Sequence, residues 1–172
     1  TAQRERVKGS RNVKELSESL PNFTGIKVID GLEVTLVRDI QTGYDLEMDD
    51  NLLELISFDI RDSVLVVATK KDIRSSKKLN IEVRYKSLNS VTAAAFSKIV
   101  AESSIDATHF ECTLSSDSEF EGTVKADKAI IMASESSKLE LVYEGDEIEM
   151  SLKDNAFAKA DINTDKLTII AT

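Results

Sequence analysis

The chain has 172 residues, of which 41% are apolar and 31% charged, and its net charge is −9. This balance describes one globular domain with a sizeable core rather than a disordered chain. The acidic excess disfavours nucleic acid, whose phosphates are bound by clustered Lys and Arg, and it disfavours electrostatic attachment to anionic lipid. No apolar run reaches the roughly 18 residues that a membrane-spanning helix requires. The sequence begins at Thr1, without Met and without a signal peptide, so its start says nothing about destination. A single cysteine, Cys112, excludes an intrachain disulfide and a cysteine-based zinc site. The fold must hold by packing.

Residues 1–21 are polar, with weak helical spacing at Val13, Leu16 and Leu20. They read as a lead-in or cap, in the form of a short helix, a peripheral strand or a frayed segment, ending at Pro21, the one proline. Residues 22–172 read as a single domain. Within it, residues 22–87 are less regular and residues 88–172 repeat. In "NFTGIKVIDGLEVTLVRD" the apolar residues Ile26, Val28, Leu32, Val34 and Leu36 fall at every second position, with Asp30-Gly31 as a corner or tight turn. Tyr44, Leu46 and Met48 alternate against Asp45, Glu47 and Asp49. Leu52, Leu53 and Ile56 fit one helical turn. Residues 61–63 read as a turn, 72–78 as a polar loop, and Leu79, Ile81, Val83 and Tyr85 as a further strand.

From Val91 onward the text repeats. Runs starting at Val91, Phe110, Ile130, Ile148 and Leu167 are spaced by 19, 20, 18 and 19 residues. A small polar corner follows each of the first four. A second apolar position then comes at Ile99, Phe120, Leu139 and Phe157, and a third at Ile105, Val124, Val142 and Ile162. A period this short cannot be a helix-pair repeat, and it fits one turn of a β-solenoid better than an evenly spaced β-sandwich. Small residues such as Ala93, Ala95 and Ser134 would suit a narrow interior. The expected fold is therefore all-β, a parallel β-helix with coils of about 19 residues.

Several blocks in this order carry a resemblance: "FTGIKVIDGLEVTL", "DLEMDDNLLELISFDIRDSVLVV" and "LNIEVRYKSLNSV", with "GSRNVKE" ahead of them. The chain from about Asn22 to its C-terminus resembles the DUF2807 family of putative auto-transporter adhesin, head GIN domain proteins. Its corners differ from the glycine-rich "SGAS" type common in that family, reading "AAAFS", "LSSDS", "ASESS" and "LKDNA". The resemblance implies a right-handed β-helix-like architecture and bacterial origin. It also implies export to the periplasm or cell surface, with the leader absent from this sequence. It implies no catalytic residue.

The residues themselves point to no reaction. His109 and Cys112 stand three apart in a strand and so face opposite ways, which separates the obvious nucleophile from its base. The acidic groups Asp45, Glu47, Asp49, Asp50 and Glu144, Asp146, Glu147, Glu149 lack any calcium-loop pattern and read as solvated faces. Aligning the repeats by their starts puts Ile99, Ser118, Lys138 and Ala156 in one row, with no convergent charged ladder for a glycan-cleaving enzyme. There is no Trp, and only Tyr44, Tyr85 and Tyr143 could join Phe in a sugar platform. Asn22-Phe23-Thr24 and Asp62-Ser63-Val64 match short glycosylation patterns that arise often by chance. We therefore expect no catalytic, cofactor-binding or metal-binding residue and no cofactor. The expected role is a non-catalytic envelope protein presenting a rigid surface to an unknown ligand (glycan, lipid or protein), as an adhesin or binding module. The alternatives are a periplasmic scaffold or sensing module and, third, a glycan-active enzyme. Free strand edges at the ends of such a stack would also permit a homo-oligomer.

Overall fold

The computed structural model describes residues 3–172. Alternating apolar residues give strands nearly throughout. In chain order these are β1 (Arg6–Lys8), β2 (Val13–Ser19), β3 (Gly25–Val28), β4 (Glu33–Arg38), β5 (Gly43–Asp49), β6 (Ile56–Arg61), β7 (Val64–Thr69) and β8 (Asp72–Ser75). Then come β9 (Leu79–Tyr85), β10 (Ser90–Ala93), β11 (Lys98–Ala101), β12 (Ile105–Leu114), β13 (Glu119–Ala133), β14 (Lys138–Leu152) and β15 (Phe157–Ala171). One 3-10 helical turn, Asp50–Leu55, sits where Leu52 and Leu53 suggested it, and it buries Leu52.

The all-β expectation holds, but the right-handed parallel β-helix does not. The main sheet is a curled half-barrel of mixed strand order, β2-β5-β9-β4-β11-β13-β12-β10-β3-β7-β6, with β14 and β15 continuing from β13. β5 runs antiparallel to both β2 and β9, and β6 runs antiparallel to β7. A separate two-stranded sheet joins β1 to β8. The physical reason for the miss is simple: alternation specifies a strand with one buried face, but neither its direction nor its neighbour. The β6–β7 hairpin shows this. Asp62 and Ser63 both have positive φ (49° and 65°), so the chain doubles back in a two-residue turn whose twist matches antiparallel strands. Residues 72–75, expected in a loop, form β8.

The 19-residue spacing survives as a register of parallel pairs. Ile105 lies opposite Val124, Phe120 opposite Leu139, and Leu139 opposite Ala158. Two starting residues were misaligned: Val91 pairs with Cys112 rather than Phe110, and Phe110 pairs with Ala129 rather than Ile130. The corners between successive strands share one conformation. Asp30-Gly31, Ala95-Phe96, Ser116-Asp117, Glu135-Ser136 and Asp154-Asn155 each place two residues at positive φ. Backbone bonds link each to the next, from Gly31 N to Ala95 O (2.8 Å) through Ser136 N to Asp154 O (2.9 Å). Ala95, expected inside, is a corner residue. After these corners, buried Ser97, Ser118 and Ser137 carry the ladder inward. Ser118 Oγ accepts from Ser97 N and Ser137 Oγ from Ser118 N.

One contiguous core runs along the concave side, from Phe23, Ile26 and Leu36 to Leu139, Tyr143 and Met150. Each fully buried Leu, Ile, Val or Phe contributes about 1.5–3 kcal/mol. The long strands bend to enclose it. In β14 the buried residues are Leu139, Leu141 and Tyr143, then Ile148 and Met150, so the alternation shifts by one at Gly145. A Cβ on Gly145 would lie 1.7 Å from Ala126 O and 2.4 Å from the Tyr143 hydroxyl. That hydroxyl sits 2.8 Å from Ala126 O and 2.7 Å from Glu147 O, its single proton shared between the two carbonyls at the bend.

Candidate functional site

The residues singled out from the sequence do not converge. His109 is exposed and Cys112 is fully buried on the other side of β12, where burial pushes the thiol up to about 12. Tyr85 and Tyr143 are core residues, each 1% exposed. Tyr44 alone stands near the surface, stacked on Phe58 at 3.6 Å between ring centroids and 4° between planes. Loss of solvent and the nearby Glu18 charge both raise its pKa.

The first acidic series is not a solvated face. Asp45 takes Arg84 Nε at 3.0 Å and Ser17 Oγ at 2.6 Å, and Glu47 takes Lys78 Nζ at 2.6 Å. Asp49 is fully buried. Its carboxylate accepts the backbone N–H of Arg11 (2.9 Å), Lys77 (2.9 Å) and Lys78 (3.1 Å). Desolvation pushes the Asp49 pKa up, but these donors outweigh it and hold the group below the ordinary carboxylate range. Asp49 thus ties the segment after β1 to the segment before β9. In the second series Glu144 pairs with Lys125 (3.9 Å), Glu147 with Lys166 (3.4 Å) and Glu149 with Lys128 (3.9 Å), while Asp146 is exposed and makes no ion pair among the described residues. Among the described residues no group of three or more His, Cys, Asp or Glu is placed to hold a metal ion.

Correct register reveals what alignment by starts hid. The outward row is Glu33, Lys98, Glu119, Lys138 and Phe157, an alternating charge ladder that ends in a phenyl ring. Lys98 and Lys138 flank Glu119 at 3.7 and 3.9 Å. Ala158, not Phe157, continues the inward row, and Phe157 is exposed. Likewise Tyr143 takes the inward place expected for Val142, which faces out.

A cleft lies elsewhere. It has a volume of about 680 Å³ and opens between the β1–β8 sheet and the Asp30-Gly31 corner. Arg4, Arg6 and Arg74 rim it against two carboxylates, Asp30 and Asp72, over Leu32 and Leu79. Local structure explains each part. Asp30, at φ 66°, accepts Thr69 N at 3.2 Å and pairs with Arg4 Nη1 at 3.1 Å. Arg4 also reaches Asp72 (3.6 Å) and donates to Thr69 O, so its guanidinium is fixed. The β1–β8 register slips between Val7 and Lys8, leaving Arg74 without a partner residue in β1. Such an irregularity re-aims a side chain out of the ladder. Arg6 and Arg74 are exposed and make no ion pair among the described residues. Sequence reading missed this site because its arginines lie in two segments taken as a polar lead-in and a polar loop. Only the β1–β8 pairing brings them together.

Known proteins place the chain as follows. A model of the DUF2807 family, described as putative auto-transporter adhesin, head GIN domain, matches residues 22–172. No curated protein matches. Among solved structures, a putative adhesin from Parabacteroides distasonis ATCC 8503 is similar with a TM-score of 0.77 at 19% identity, over 97% of this chain and 79% of that one. A putative adhesin from Parabacteroides merdae ATCC 43184 gives 0.58 at 14% identity, over 97% of each chain. One from Bacteroides fragilis NCTC 9343 gives 0.58 at 14% identity, over 96% of this chain and 100% of that one. At these identities the likeness is one of fold.

Proposed function

We propose a binding role from a plain premise: the chain belongs to the DUF2807 family, putative auto-transporter adhesin, head GIN domain proteins. The molecule is a non-catalytic envelope protein, exported to the periplasm or cell surface of a bacterium. It displays a rigid β surface and captures an acidic glycan in the arginine-rimmed cleft. The family description and the Parabacteroides and Bacteroides adhesins that share the fold support the adhesive reading.

The observation that carries the ligand class is the cleft itself. It presents three arginines on a chain whose net charge is −9. Guanidinium groups bind carboxylate or sulfate through paired N–H donors, and Arg4 is already held in place by Asp30 and Asp72. Ser75 and Ser76 add hydroxyls for sugar oxygens. Arg6 and Arg74, being unpaired, supply the charge that a ligand would meet.

Two measurements test this. A glycan array probed with the 172-residue protein should favour uronic-acid or sulfated glycans over neutral ones, with binding that weakens as salt rises. Binding to neutral glycans alone, or none, contradicts the reading. Treating intact native cells with a protease that cannot cross the outer membrane separates the two locations: loss of the protein places it on the surface. Survival until the membrane is permeabilised would place it in the periplasm and turn the search toward envelope partners.

A further inference from the structure

β15 differs from every other strand. It is fifteen residues long and pairs only with β14 among the described residues, so one whole backbone edge is unpaired. Its inward residues Leu167 and Ile169 are half-exposed, although Ile148 and Met150, their neighbours in β14, are buried. Its outward face also breaks pattern. Phe157 ends the Glu–Lys row, and Ile170 sits next to Ser151 in the adjoining row. Both are more than half exposed. The other edges are blunted: β2 and β6 are short and carry Lys14, Glu15, Glu18, Asp59 and Arg61. An exposed, long and apolar edge is a template for another strand.

We propose that β15 docks antiparallel against β15 of a second copy, forming a two-fold symmetric dimer with a continuous sheet. Self-complementarity carries the inference. If the axis passes between Asn163 and Thr164, Phe157 faces Ile170 and Ala158 faces Ile169. In the same register Asp161 faces Lys166, and each pair occurs twice by symmetry. The bend in β15 makes this register consistent. Ala158 stands in the buried row of Leu139, and Ile169 in that of Met150, so both point inward; Phe157 and Ile170 both point outward.

Other registers fail. A one-residue slip sets inward residues against outward ones. A two-residue slip one way puts Lys159 opposite Lys166. The other way, Lys159 meets Ile170 and the Asp161–Lys166 pair is lost. Only the central register joins opposite charges, matches the exposed apolar residues and covers the open end of the core.

Sedimentation velocity on the 172-residue protein over a concentration series tests the dimer. Wild type should sediment as a dimer. Asp161→Lys places like charges opposite each other twice and should weaken association about tenfold or more. The double exchange Asp161→Lys with Lys166→Asp should restore it. Phe157→Glu continues the alternation beside Lys138, so the variant should fold, shown by an unchanged circular dichroism spectrum, yet remain monomeric. A monomeric wild type, indifference to Asp161→Lys, or no rescue by the double exchange would overturn the proposal.

Discussion

Residues 6–85 and residues 90–171 assemble their strands by different means. In the second region the long strands β12 to β15 lie in parallel at a constant offset of 19 residues. Each inward position stacks on its equivalent, corners repeat one backbone conformation, and polar side chains pair along the outside. In the first region strands are short, directions mix, and single polar groups hold unlike segments together. Asp49 bonds the segment after β1 and the segment before β9, and Asp30 joins a corner to β7 and Arg4. The repeating region distributes stability among equivalent neighbours, while the irregular region concentrates it in hubs. The candidate binding cleft belongs to the irregular region, where unlike segments create a concave surface that stacked equivalents do not.

The sharpest way to break the repeating region is at its bend. Gly145→Ala drives a methyl into Ala126 O and should destabilise the protein by about 3 kcal/mol, read by denaturant unfolding. A smaller effect expected at Asp49 would sharpen the contrast. Asp49→Asn should lower Tm, and hydrogen exchange should quicken in β1, β2 and the segment before β9 while β12 to β14 keep their protection. Its pH signature follows from the lowered native pKa. The stabilisation is complete above the unfolded carboxyl's value of about 3.9 and is lost as pH falls through the native value, so wild type should show a steeper acid-side slope than the variant.

At the corners the effect should reverse sign. Phe96 is 72% exposed at φ 63°, a conformation that Asn adopts more readily. Phe96→Asn should therefore stabilise by about 1 kcal/mol in the same unfolding assay. Glu119→Gln, which removes the centre of the Lys98–Glu119–Lys138 row, should change stability by less than about 0.5 kcal/mol, because exposed ion pairs contribute little. A large loss there would show that the ladder, and not the core, holds the long strands together.

The two regions also differ in how far the sequence reveals them. Ile26, Val28, Val34 and Leu36 are buried as their alternation says, and so are Phe110, Cys112 and Leu114. The 19-residue period was legible because equivalent strands stack. Phe157 and Val142 were misplaced by one position because an apolar residue near the expected phase reads as core, and nothing local marks it as outward. The antiparallel pairing of β2, β5 and β6 was beyond reach, since partner and direction depend on chain segments far apart. Asp49 looked like one of four surface acids, and its burial depends on three backbone N–H groups that no pattern announces. The arginine cleft was hidden for the same reason, because it is made by the pairing of β1 with β8.

Calorimetric titration of a uronic-acid or sulfated oligosaccharide into the protein tests the arginine cleft most directly. Wild type should bind, and the double variant Arg6→Ala, Arg74→Ala should bind at least about tenfold more weakly with an unchanged Tm, since both side chains are exposed and unpaired. Equal affinity in the two proteins would contradict the assignment and move the binding surface away from the β1–β8 junction.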